Sequence, residues 1–249
     1  MEQRKTGRIQ TKKNIQGRKM IIGGFQKFSL IDYPGKICAI IFTQGCNFRC
    51  PYCHNPELVN PKLFREPIDE EDIFRFLEIR KGKLDAVEIT GGEPTLQPDL
   101  IEFMRKIKAM GFLIKLDTNG TNPEVVEKII KNKLVDYIAM DVKAPLEKYE
   151  KVVRAKVDKQ KIKEAISLIM NSHIDYEFRT TIIKNILTKE DIIDIAKTIK
   201  GSKLYVLQKF IHSKILDLSL AKRAKTFSDA ELEAIRSEAE KYVKESVIR

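Results

Sequence analysis

The chain is predicted to fold as an α/β protein around one parallel sheet. Six short β-rich runs recur along it, and each is followed by a stretch whose apolar residues repeat at helical spacing. Proline, glycine and capping residues fall at the joints between them. The first run, Cys38–Thr43, precedes a helical face of Ile73, Phe76 and Leu77. Ala86–Thr90 precedes Leu100, Met104 and Ile107, and Leu113–Asp117 precedes Val126, Ile129 and Ile130. Tyr137–Val142 leads to Ile162, Ala165, Ile166 and Ile169, and Tyr176–Ile183 to Ile192, Ile195, Ala196 and Ile199. The last run, Lys203–Phe210, leads to Leu232, Ile235, Ala239 and Tyr242. Pro98 and Pro123 are expected at first helical positions, where a missing N–H costs nothing. Gly111 is expected to stop its helix in a left-handed conformation, and Ser228 with Glu231 to form a capping box. Six β–α units in a row imply right-handed crossovers and either an open doubly wound sheet or a barrel. In both, chemistry belongs at the C-terminal ends of the strands.

Composition narrows the classes. With 249 residues, 43% hydrophobic and 33% charged, the chain can bury a sizeable core and is not a disordered one. The longest apolar run, Ile37–Phe42, is far shorter than the ~20 residues of a membrane span. No apolar leader opens the chain, which predicts a cytoplasmic protein. Four cysteines in that compartment suggest metal or redox chemistry before disulfides. The net charge is +11, and residues 1–19 carry much of it: Arg4, Lys5, Arg8, Lys12, Lys13, Arg18 and Lys19 stand against Glu2 alone. That segment has almost nothing to pack and is expected to be a flexible basic tail, with residues 20–249 forming one domain. So short a tail is weak support for a nucleic-acid partner, which is not expected.

Three of the cysteines fall in the pattern Cys46-x3-Cys50-x2-Cys53, in the loop leaving the first run. Cys38 opens the same strand, roughly 17–20 Å away at strand rise, and is expected to be a buried apolar residue. The candidate site is therefore three thiolates without a fourth. Thiolates suit zinc or an iron–sulfur cluster. A cubane cluster normally takes four cysteines, so three leave one iron open to an outside ligand. Two other sets compete. A structural zinc would recruit His54 or His212 as fourth ligand. Cys50–His54 also spells a haem-attachment C-x-x-C-H, but that needs an export route and leaves Cys46 unexplained.

This cysteine spacing, with Tyr52 before the last cysteine, resembles the radical S-adenosylmethionine superfamily. Thr90-Gly91-Gly92-Glu93-Pro94, closing the second run, is similar to the superfamily's GGE motif. The resemblance covers nearly all of 20–249 and implies a partial (β/α)6 barrel of the radical S-adenosylmethionine type. Within the superfamily the chain looks most like the activators of glycyl radical enzymes, such as pyruvate formate-lyase and anaerobic ribonucleoside-triphosphate reductase. Ser29-Leu30-Ile31-Asp32-Tyr33-Pro34-Gly35, Cys53-His54-Asn55, Asp117-Thr118-Asn119-Gly120 and Asp141-Val142-Lys143 each match that group, and Ile31–Glu57 looks closest to the reductase activators. The second cysteine cluster that some activators carry is absent from this sequence.

The resemblance implies that Cys46, Cys50 and Cys53 hold a [4Fe–4S] cluster whose open iron chelates S-adenosylmethionine. It implies that the backbone of Gly91 and Gly92 approaches the methionine part, that Glu93 either accepts from its ammonium or braces the loop, and that Lys143 pairs its carboxylate. Asp117, Thr118 and Asp141 would form an oxygen-rich corner for a monovalent cation. Tyr52 and His54 would line the adenine side, with His212 near the ribose. Asp32 would meet the partner's glycine loop. The role of Arg179, inside the fifth run, stays open between the barrel interior and a helix contact. An outside reductant, a flavodoxin or ferredoxin, would supply an electron that cleaves the cofactor, and the resulting 5′-deoxyadenosyl radical would take hydrogen from a glycine. No protein acid or base is needed. A radical enzyme acting on tRNA or a small molecule, and a non-catalytic metal-binding module, are the competing classes.

Overall fold

The computed structural model describes residues 19–249; the expected basic tail lies, apart from Lys19, outside the described residues. Eight strands form one sheet in chain order: β1 (Ile22–Ser29), β2 (Cys38–Thr43), β3 (Ala86–Gly91), β4 (Leu113–Thr118), β5 (Tyr137–Asp141), β6 (Asp175–Ile182), β7 (Tyr205–Lys209) and β8 (Ser246–Ile248). β1 runs antiparallel to β2, and every later pair is parallel. Helices α1 (Pro56–Val59), α2 (Glu70–Arg80), α3 (Leu100–Ala109), α4 (Pro123–Lys131), α5 (Tyr149–Val153), α6 (Lys159–Met170), α7 (Lys189–Thr198), α8 (Leu218–Arg223) and α9 (Asp229–Ala239) fill the connections. Among the described residues no ladder joins β8 to β1, so the sheet is a partial barrel open along one side. The six expected strands are β2–β7, each within two residues of its expected limits.

Strand alternation sorts the side chains into two layers. Ala39 and Ile41 of β2, Val87 and Ile89 of β3 and Ile114 and Leu116 of β4 face the helices, where Ile73, Leu77, Phe103, Met104 and Ile107 meet them. Each fully buried aliphatic side chain there contributes about 1.5–3 kcal/mol. Cys38 and Ile40 point the other way and join Tyr33, Ala86, Tyr137 and Ala139 in a small interior cluster. Further interior positions are polar: Glu88, Lys115, Asp117 and Glu177 are all buried. An apolar outer layer thus surrounds a charged barrel interior.

The punctuation holds with one correction. Pro123 opens α4, Gly111 has φ +91°, and Ser228 and Glu231 form the expected capping box at α9. Pro98, however, precedes the cap residue Asp99 and not the first helical position. Gln97 explains the delay: its Nε2 donates to Gln44 O at 2.9 Å and its Oε1 accepts from Ile21 N at 2.9 Å. The chain is pinned there and turns through Pro98 before α3 can start. β1 and β8 were not expected. β1 reads Ile-Gly-Gly-Phe-Gln-Lys-Phe-Ser, with two glycines and no clean alternation, and is fixed by pairing with β2 and by Phe25 packing edge-on to Phe76 at 5.1 Å. Among the described residues no helix is long and apolar enough to cross a membrane.

Candidate active site

At the C-terminal ends of the strands the interior opens into a cavity of about 420 Å³. Cys46, Cys50, Tyr52, Cys53 and His54 reach it from the loop after β2, and Gly91, Gly92 and Glu93 from the end of β3. Asp117 and Thr118 arrive from β4, Asp141 and Lys143 from β5, Arg179 from β6, and Asp32 from the loop after β1. Every expected site residue lines this one cavity except His212. That side chain is exposed and packs edge-on against Phe210 at 5.1 Å. Phe210 lies between the two histidines: His54 stacks on it at 5.7 Å and accepts or donates a 2.9 Å hydrogen bond with Ser213 Oγ.

The cysteine loop is held in shape by its own backbone. Phe48 N donates to Cys46 Sγ at 3.3 Å, and Cys53 N to Cys50 O at 3.0 Å. The Arg49 guanidinium closes the loop by donating to Cys46 O and Phe48 O, both at 2.7 Å. Gly45, at φ +105°, starts the turn, and its N–H donates to Leu58 O at 2.7 Å.

The glycine pair serves this loop. A Cβ on Gly91 would lie 2.5 Å from Thr43 N, and one on Gly92 only 2.0 Å from Gly45 O. Gly92 N donates to Thr43 O and Glu93 N to Gly45 O, each at 2.8 Å. The missing side chains therefore let β3 close on the base of the cysteine loop, while both glycines still line the cavity. Between the two readings of Glu93, the structure shows the brace. Oε1 accepts from Thr95 N, Thr95 Oγ1 and Thr118 Oγ1 at 3.1, 2.5 and 2.8 Å, while Oε2 accepts from Asn119 N at 2.7 Å. Asn119 Nδ2 continues to Asn47 Oδ1 at 2.9 Å, so the ends of β3 and β4 are tied to the cysteine loop. The Thr118 hydroxyl is committed too, since Gly120 N donates to it at 3.1 Å.

A ladder of opposite charges fills the interior beneath. Lys115 Nζ donates to Glu88 Oε1 at 2.7 Å and Asp117 Oδ1 at 2.6 Å. Arg179 Nη2 donates to Asp117 Oδ2, and its Nε to Asp141 Oδ1, each at 2.9 Å. Arg179 thus points into the barrel, settling the choice left by the sequence. Lys143 Nζ donates to Asp141 Oδ2 at 2.8 Å, leaving two ammonium protons for the cavity. Burial alone would raise both aspartates; Arg179, with Lys115 or Lys143, holds them below the usual carboxylate range. Glu88 goes the other way, raised by burial and by the Asp117 charge. The oxygen-rich corner of Asp117, Thr118 and Asp141 therefore contains a guanidinium. Glu88 and Lys115 were missed by the sequence reading. Their signal was a charge at the centre of an otherwise apolar strand.

The donor set suits an iron–sulfur centre. Three thiols on one loop line one cavity, and the buried Tyr52 hydroxyl beside them has no partner. Among the described residues no three Cys, His, Asp or Glu side chains converge as a single ion requires. Burial pushes the Cys46 thiol up to about 12 and Cys50 to about 11, so metal binding must displace protons. Cys38 is fully buried, away from the cavity, in the interior apolar cluster.

A partial barrel with three cysteines on the loop after its first parallel strand defines a class of enzymes with a thiolate-held redox centre. The model of the Radical SAM superfamily matches residues 40–200. A Methanocaldococcus jannaschii protein assigned as a glycyl-radical enzyme activating enzyme is 41% identical over 93% of this chain and 96% of its own. The pyruvate formate-lyase-activating enzyme of Clostridium pasteurianum is 30% identical over 75% of this chain and 78% of its own. In fold, Streptococcus suis SuiB bound to S-adenosylmethionine superposes with a TM-score of 0.61 at 16% identity, covering 82% of this chain and 48% of that one. The chain belongs to the radical SAM superfamily, and its relatives make it a radical SAM enzyme of the glycyl-radical-enzyme activating group. The family implies a [4Fe–4S] cluster and S-adenosylmethionine as cofactors.

Proposed function

We propose that this cytoplasmic enzyme installs a glycyl radical in anaerobic ribonucleoside-triphosphate reductase, using an electron from a flavodoxin or ferredoxin. The observation that carries the reading is the single cavity that gathers the three thiols, Asp141 with Lys143, and Asp32. Cys46, Cys50 and Cys53 would hold the cluster. Bound there, the cluster would supply one electron for reductive cleavage of S-adenosylmethionine, the chemistry that would let hydrogen be taken from a glycine.

The chain's own residues bind and orient. Lys143 offers its two remaining protons to the cofactor carboxylate while Asp141 holds it in place. Tyr52 and His54 form the wall on the adenine side, and the braced Glu93–Asn119 lattice keeps the Gly91–Gly92 turn against the cysteine loop. A monovalent cation sharing the corner would compete with Arg179 for Asp117 and Asp141 oxygens. Asp32, accepting from Ser29 Oγ at the cavity rim and flanked by the exposed Leu30 and Ile31, is where we place the partner's glycine loop. The reductase is preferred as partner on the likeness of Ile31–Glu57; the Clostridium relative makes pyruvate formate-lyase the second reading.

The test is chemical. Anaerobically reconstituted enzyme should contain four irons and four sulfides, in keeping with the cubane cluster of the family. It should release 5′-deoxyadenosine from S-adenosylmethionine on adding dithionite. Protein that binds zinc and releases none would overturn the reading.

A further inference from the structure

A second cleft, of about 330 Å³, lies against the cysteine loop. Pro51, between Cys50 and Cys53, forms part of its wall, and it shares no lining residue with the active-site cavity. Lys148, Lys151, Arg154 and Arg223 surround it, and no carboxylate lines it. Two of these cations are neutralised nearby: Lys148 pairs with Asp191 at 2.8 Å and Arg154 with Asp217 at 2.7 Å. Lys151 and Arg223 are exposed and, among the described residues, have no ion-pair partner.

The cleft is joined to the loop by backbone. Arg49 N donates to Val153 O at 2.9 Å, at the end of α5, and Asp217 N donates to Pro51 O at 2.9 Å, at the start of α8. Leu216 N donates to Cys53 O at 3.0 Å. The end of α5, which carries Lys151, and the acidic cap of α8, whose far end carries Arg223, are thus fastened directly to the loop that carries the thiols.

We infer that this cleft is the docking surface for a small acidic electron-transfer protein, which passes one electron through the Cys50–Cys53 segment to the centre held there. The carrier is oxidised by one electron as that centre is reduced by one. Charge complementarity selects the occupant: an acidic patch is attracted to Lys151 and Arg223, and such attraction raises the encounter rate. Position selects the function. The partner's glycine needs the active-site cavity, with which this cleft shares no lining residue, so a reductant here can bind at the same time. The inference rests on the radical-enzyme reading above and locates where its electron enters.

The test compares two charge-matched double variants of the reconstituted enzyme, with purified reduced flavodoxin as probe. Lys151→Glu with Arg223→Glu should raise the Kd for flavodoxin about tenfold and slow flavodoxin-driven cleavage of S-adenosylmethionine in proportion. Lys83→Glu with Lys244→Glu, both exposed and outside the cleft, should change that Kd less than about twofold. Dithionite-driven cleavage should be equal in all three proteins. Should the first variant lose its cluster, Lys151→Gln with Arg223→Gln carries the same prediction at a smaller factor. Equal weakening by both double variants, or none by the first, overturns the docking site. Wild-type protein that fails to cleave the cofactor with dithionite would instead overturn the activase reading, so the two failures are distinct.

Discussion

Asp141 and Arg179 sit directly opposite each other on β5 and β6, and the Arg179 Nε donates to Asp141 Oδ1 at 2.9 Å. The same guanidinium reaches back across β5 to Asp117 on β4. One side chain therefore spans three strands at the level of the cavity, and both carboxylates depend on it for compensation. Lys143, bound to the second oxygen of Asp141, inherits its position from this pairing.

Replacing Arg179 by Met should leave two largely buried carboxylates with only their lysines. Removing one partner of a buried ion pair costs about 3–5 kcal/mol. Urea denaturation should show a loss of that order, and Asp141→Asn in the same chain should recover part of it, because one uncompensated charge is gone. Independent, additive losses would contradict the coupling.

The glycine pair gives a steric prediction. Gly92→Ala places a methyl group 2.0 Å from Gly45 O, so the cysteine loop must move. Iron content after reconstitution should fall sharply. Gly111→Ala is the contrast: φ is +91° but nothing lies within 4 Å, so it should cost about 1–2 kcal/mol of stability and leave iron content unchanged.

Much of the architecture was legible because its signals are local. β2–β7 are short, apolar and followed by helical periodicity, and the three cysteines declare themselves by spacing. β1 was not legible, since its strand character comes from pairing with β2. The contact that Gly91, Gly92 and Glu93 make with the cysteine loop was not legible for a related reason: only the folded chain brings Gly45 O against Gly92. Arg179 could not be assigned a face until the register with Asp141 was known. The exposed position of His212 was not legible because it depends on how Phe210 packs against both histidines.

Glu88 should make stability fall as pH rises. Its folded-state pKa is raised by burial first and by Asp117 second, above an unfolded value near 4.5. A raised pKa means the fold holds a proton that the unfolded chain releases, so this stabilisation is complete below about pH 4.5 and is lost as pH climbs toward the folded pKa. Glu88→Gln removes the titration. The difference in unfolding free energy between the variant and wild type should therefore grow in the variant's favour from pH 5 to pH 8. A pH-independent difference would show that Glu88 does not titrate in this range.

Residues 20–249 are proposed to fold alone. Met20 and Ile22 are buried in the main core, so the domain has its own first contacts from there. A chain starting at Met20 should reconstitute its cluster and keep the wild-type melting temperature to within a few degrees. Precipitation would place part of the remaining segment in the domain.

The central claim, that this enzyme makes a glycyl radical, is tested most directly by electron paramagnetic resonance. The reconstituted enzyme is mixed anaerobically with S-adenosylmethionine, a reductant and the anaerobic ribonucleotide reductase encoded beside it or in the same genome. The account predicts an organic radical doublet on the reductase that collapses when the glycine is deuterated at Cα, appears with Cys38→Ala enzyme, and is absent with Cys46→Ala, Cys50→Ala or Cys53→Ala. Release of 5′-deoxyadenosine without any radical on the reductase or on pyruvate formate-lyase would contradict it and point to a different substrate.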